Sequence, residues 1–200
     1  MLVAYNSIPE NNNFQPRIDN ERYIYIILLR YPDLFSAIFR LFTGCEYSHA
    51  SIGVSETNGS FYSFVTKGFR KELPLRHPTF KQKEVPCKLF RLKITDEVYR
   101  VTQLILEEHE KRAHKLKYNY LGVFLCLLRI VWPMKNQYFC SQFVSEVLSE
   151  TGTVSLKKHS SLYLPDDFTK MKELELCYSG FLSQLVSPIA HSIPVPCFSA

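Results

Sequence analysis

Two side chains in the 200-residue chain have surroundings suited to nucleophilic chemistry, Cys140 and His49. The spacing of Phe139, Phe143, Val144, Val147 and Leu148 predicts a helix from about Gln137 to Ser149, N-capped by Asn136, with Cys140 in its first turn. The amides and dipole at a helix N-terminus favour an anion, so a thiol held there gains thiolate character. A nucleophilic thiol also needs a base. His49 opens an alternating segment, His49 to Val54, in which Ser51 and Gly53 share its face while Ala50, Ile52 and Val54 take the other. Small neighbours leave an open trough beside the imidazole. The plainer alternatives are a small buried thiol and a structural histidine.

An imidazole that moves protons needs a third polar group to orient it. Asn58-Gly59 is a hairpin signal, and Phe61 to Thr66 reads as the returning strand. A two-residue turn puts Tyr62 on the histidine face; a three-residue loop with Gly59 left-handed puts Ser63 there. Both assignments stay open at this point.

The elements that must position these groups follow from local pattern. Tyr23 to Leu29, β-branched and aromatic, reads as a strand covered on both faces, and Pro32-Asp33 opens a short helix through Phe42 that Gly44 ends. A basic loop containing Pro74 and Pro78 precedes a strand at Cys87 to Ile94. Thr95 caps a helix to about His114, with Val98, Val101 and Ile105 on its inner side. Tyr118-Asn119-Tyr120 interrupts the helical pattern before the oily stretch Val123 to Trp132. Pro165-Asp166-Asp167-Phe168 looks like another helix start. Residues 1–20 read as a loose arm, 21–186 as one domain and 187–200 as an irregular tail.

Composition narrows the function classes. Lys and Arg number 24 against 19 Asp and Glu, and no run of five basic residues occurs, which argues against nucleic acid as a partner. The Leu121 to Met134 stretch carries Arg129 and Pro133 and is too short to span a bilayer. With no basic leader evident, a cytoplasmic protein is expected. The cysteines form no Cys-x-x-Cys pair, so neither a zinc site nor a disulfide framework is indicated.

The segment Tyr47-Ser48-His49-Ala50-Ser51-Ile52-Gly53, followed by Phe61-Tyr62-Ser63-Phe64, resembles the histidine hairpin of the circularly permuted NlpC/p60 superfamily. Tyr138-Phe139-Cys140-Ser141-Gln142-Phe143-Val144 resembles its nucleophile helix. Tyr118-Asn119-Tyr120 is similar to the aromatic element before that helix, and Leu164-Pro165-Asp166-Asp167-Phe168 to the element after it. The group is the YiiX-like papain-fold proteins, related to the lecithin:retinol acyltransferase clan, and the likeness covers roughly 23–168.

The resemblance implies an α+β, permuted papain-like fold in which an antiparallel sheet packs against helices. It implies Cys140 as nucleophile and His49 as base. Ser63 falls in the third place, where many relatives carry histidine, glutamate or another strong acceptor. Tyr118 would help form the oxyanion site with the Cys140 backbone N–H. The expected activity is cleavage of a peptide-like amide through an acyl-enzyme, with a peptide-like or acyl substrate in the Cys140–His49 cleft and no metal or organic cofactor. The alternatives are a lipid thioesterase or acyltransferase using the same dyad, and a silent binding module. Peripheral lipid contact through Leu121 to Trp132 goes with the lipid alternative; the plainer expectation for that stretch is a core helix.

Overall fold

Arg22–Leu29 forms strand β1, whose Ile24, Ile26 and Leu28 enter one apolar core while Ile27 and Leu29 enter another. A strand buried on both faces reads as a near-continuous apolar run, as this one does. The computed structural model that places it describes residues 21–54, 60–72 and 84–189. The expected arm at 1–20, the Asn58-Gly59 turn, the Pro74 and Pro78 loop and the tail beyond 189 lie outside the described residues.

β1 pairs antiparallel with β2 (His49–Val54) on one side and β5 (Pro86–Ile94) on the other. With β3 (Phe61–Val65), β4 (Gly68–Glu72) and β8 (Glu175–Phe181), they make a six-stranded antiparallel sheet in the order β4-β3-β2-β1-β5-β8. A separate parallel ladder joins β6 (Lys117–Tyr118) to β7 (Gln137–Tyr138). The protein is therefore a mixed α+β fold with an antiparallel sheet and several helices.

Helix α1 (Leu34–Thr43) starts where expected, with Asp33 accepting from the Ser36 N–H, and stops at Gly44 in the left-handed conformation. Helix α2 (Asp96–Lys111) is capped by Thr95 and ends before His114. Its buried side is Tyr99, Thr102 and Leu106, with Val98 and Ile105 only partly covered; Val101, expected inside, is exposed.

Helix α3 (Tyr120–Leu127) is N-capped by Asn119, which is buried and bonds the Gly122 N–H at 2.7 Å. It ends early because Arg129 turns left-handed and the Ile130 N–H reaches back to the Leu125 carbonyl. The oily stretch is thus not a core helix: of its apolar side chains only Cys126 is buried, and Leu121, Phe124, Leu128 and Trp132 face outward.

Helix α4 spans Cys140–Glu150 and lays Phe143, Val144, Val147 and Leu148 on Ala50, Ile52 and Phe64 of the sheet. The last described helix, α5 (Leu182–Ile189), covers the second core through Leu182 and Leu185, so the expected irregular tail begins with helical residues at 187–189.

Candidate functional site

His49 is the first residue of β2 and Cys140 the first of α4. Folding brings these two ends together, near enough for the Cys140 sulfur to act electrostatically on the His49 ring. Both residues are buried, at 4% and 5% exposure, so the pair lies largely out of water.

Cys140 is not in mid-turn, as the expected start at Gln137 implied. Asn136 adopts a left-handed conformation and is no cap; Gln137 and Tyr138 are drawn into the ladder with Lys117 and Tyr118. Phe139 becomes the N-cap and supplies no side-chain bond. The sulfur therefore sits at the first helical position, where backbone N–H groups have no intrahelical partner.

The third polar group is Glu72. Its Oε2 lies 2.9 Å from His49 Nε2, and the Ser51 hydroxyl, 3.1 Å from that nitrogen, donates to the same Oε2 at 2.6 Å. With Nε2 so engaged, Nδ1 is the ring nitrogen left for the sulfur. The expected trough beside the histidine is filled by this carboxylate, and Ser51 is fully buried beneath it.

Ser63 and Tyr62 do not hold the histidine. Ile52 pairs with Tyr62, a register that matches neither short turn considered from the sequence. Tyr62 faces the first core and meets Lys71, while the Ser63 hydroxyl donates to the Ala50 carbonyl at 2.6 Å. A buried hydroxyl satisfied by a neighbouring strand's carbonyl is a structural group.

Glu72 is hard to find from the sequence because the residues of β4 look like loop. The strand carries Arg70, Lys71 and Glu72 at the sheet edge, where charge is common and blurs the strand pattern. A signal was present in Lys67-Gly68: Gly68 has φ of 96°, and a Cβ there would lie 2.6 Å from the Leu116 carbonyl oxygen, so only glycine suits this tight turn.

Burial alone would lower the affinity of the His49 ring for a proton. The negative charge of Glu72, the interactions with Cys140 and the hydrogen bond to Glu72 outweigh it and push the imidazole up to about 10. The site thus favours an imidazolium beside the sulfur.

Two phenols flank the pair. Tyr118 is delivered by the β6–β7 ladder, and burial, then the charge of Cys140, hold its hydroxyl well above the usual phenol range. Tyr31, absent from the sequence expectations, packs its ring 5.1 Å from the His49 ring. Burial, then Glu72 and Cys140, raise it likewise. Both stay protonated at neutral pH and are donors by chemistry. Tyr118 also lines a cavity of about 610 Å³ together with Thr66, Lys67 and Tyr120.

The Pro165-Asp166-Asp167-Phe168 element, a 3-10 turn over Pro165–Lys170, acts at a distance. Asp166 accepts from the backbone N–H groups of Glu46 at 2.7 Å and Tyr47 at 3.0 Å, and so fixes the chain entering His49. Phe168 is fully buried in the first core. Asp166→Ala should lower stability by roughly 1–3 kcal/mol, read from urea unfolding, because two donors lose a charged acceptor. An unchanged midpoint would remove Asp166 from this role.

No family model matches the chain, and no curated protein matches it.

Proposed function

We propose that the chain is a cysteine hydrolase of permuted papain-like design, with Cys140 as nucleophile, His49 as acid and base, and Glu72 orienting the ring. The observation that carries this reading is a carboxylate bonded to the His49 imidazole, with the sulfur at a helix start acting on the same ring. It is the order of roles that acyl transfer by a thiol requires.

The sulfur, as thiolate, attacks a carbonyl carbon and forms a C–S bond. The oxyanion accepts hydrogen bonds from the Cys140 N–H and the Tyr118 hydroxyl. His49 gives its proton to the leaving nitrogen or oxygen, which departs and leaves an acyl-enzyme. Water then attacks, the neutral imidazole takes its proton, and the acid is released with the thiolate and imidazolium restored. A peptide-like amide is the substrate class this chemistry suits. The lipid ester or thioester reading is favoured by a separate observation, the exposed apolar residues of α1 and α3.

The test is competitive thiol labelling. Burial pushes Cys87 up to about 12 and Cys126 to about 11, and raises Cys45. Limited iodoacetamide treatment near neutrality, mapped by mass spectrometry, should modify Cys140 about tenfold or more faster than these three, because the thiolate is the reactive form. His49→Ala should remove that advantage. Slow, even labelling of all the cysteines would instead identify a silent module.

A further inference from the structure

The apolar stripe of α1 points the wrong way for a core helix. Leu34, Phe35, Ile38, Leu41 and Phe42 recur at the spacing that normally faces an interior, yet Leu34, Leu41 and Phe42 are 77%, 80% and 74% exposed. The buried residue of α1 is Ser36. Helix α3 repeats the pattern, with Leu121, Phe124 and Leu128 outward and Trp132 just beyond its end, 60% exposed.

These two surfaces meet. Phe35 and Tyr120, near the helix starts, pack edge to face with ring centroids 6.4 Å apart. A contiguous exposed apolar face of this kind marks an interaction site.

Its charge selects the occupant. No acidic residue occurs in the sequence between Asp33 and Glu46 or between Glu110 and Glu146, while the second stretch contains Lys111, Arg112, Lys115, Lys117, Arg129 and Lys135, of which Arg112 pairs with Glu108. Apolar side chains and Trp132, flanked in sequence by Arg129 and Lys135, complement an anionic lipid surface. No described helix is long and apolar enough to cross a membrane, so this contact would be peripheral.

We infer that the joined face of α1 and α3 docks on an anionic bilayer. The consequence for substrate rests on the proposed hydrolase reading. Tyr31, packed on the His49 ring, and Tyr118, which feels the charge of Cys140, stand shortly before α1 and α3, so docking turns that flank of the site towards the lipid surface. An acyl ester or thioester presented from the bilayer is then the substrate class within reach.

The experiment is vesicle co-sedimentation of the full chain, with phosphatidylcholine alone and with added phosphatidylserine, at low and raised salt. Binding to the anionic vesicles is expected, weakened by salt, with a blue shift of emission from Trp132, the single tryptophan. Leu41→Glu with Phe124→Glu should cut the partition coefficient at least about tenfold, and Arg129→Gln with Lys135→Gln several-fold on anionic vesicles only. Circular dichroism checks that the exposed substitutions leave the fold intact. Cys140→Ser should bind like the parent, which separates docking from catalysis. No sedimentation, equal sedimentation on neutral vesicles, or a dimer in light scattering that Leu41→Glu dissociates and that excludes vesicles would each overturn the inference.

Discussion

Mixed with excess p-nitrophenyl ester, the protein should release a burst of nitrophenolate equal to its Cys140 content, and Cys140→Ser should abolish that burst. The sulfur forms the acyl bond as nitrophenolate leaves, so one equivalent appears before water turns the enzyme over. A serine hydroxyl cannot be activated by a base tuned to a thiol, and loss of a nucleophile typically costs a factor of about 10³ or more in turnover. His49→Ala should slow the burst by about 10²–10⁴, the usual contribution of a positioned acid and base. The two effects should not add, since both residues serve one step. Cys140 lies at the N-terminus of α4 ahead of its core-facing Phe143 and Val144, so its truncation leaves the packing that holds the helix unaltered. A burst that survives in Cys140→Ser would locate the reactive group elsewhere and end the hydrolase reading.

The pairing of Cys140 with His49 was legible because each stands at the start of an element with a clear period. The stripe of α4 and the alternation of β2 are local properties; β2 formed at its expected bounds, and α4 kept its stripe while starting three residues later, at Cys140. Glu72 was not legible, because its strand gains stability from pairing with β3 while its own composition reads as a solvated turn. Tyr31 sits between the end of β1 and Pro32 and carries no period at all. Its nearness to His49 is set by strand pairing, Leu29 opposite His49, which no local pattern records. The outward faces of α1 and α3 show a different limit. Periodicity says that a helix has an apolar side; it does not say whether this chain supplies the cover.

Glu72→Gln carries the second large effect, and pH gives it a signature that a packing defect lacks. His49 is raised from 6.5 to about 10 in the folded protein, first against the opposing pull of burial and chiefly by Glu72. Below about pH 6.5 the ring is protonated whether folded or not, so its contribution to stability is fully present there. As pH climbs towards 10 the folded ring loses its proton and that stabilisation, worth on the order of a few kcal/mol, is lost. The parent should therefore lose unfolding free energy across this window. Glu72→Gln keeps the shape but removes the charge, so the decline should shrink and move to lower pH. Ester turnover should fall roughly 10–10³-fold as the ring loses its orienting anion. Glu72→Asp should recover part of the pH signature, because it restores the charge at a shorter reach. Ser63→Ala, whose hydroxyl bonds only the Ala50 carbonyl among the described residues, should cost about 1 kcal/mol of stability with the turnover and its pH profile unchanged. If instead Ser63→Ala disables turnover while Glu72→Gln matches the parent at every pH, the ring is held by the hydroxyl and the role given to Glu72 is wrong.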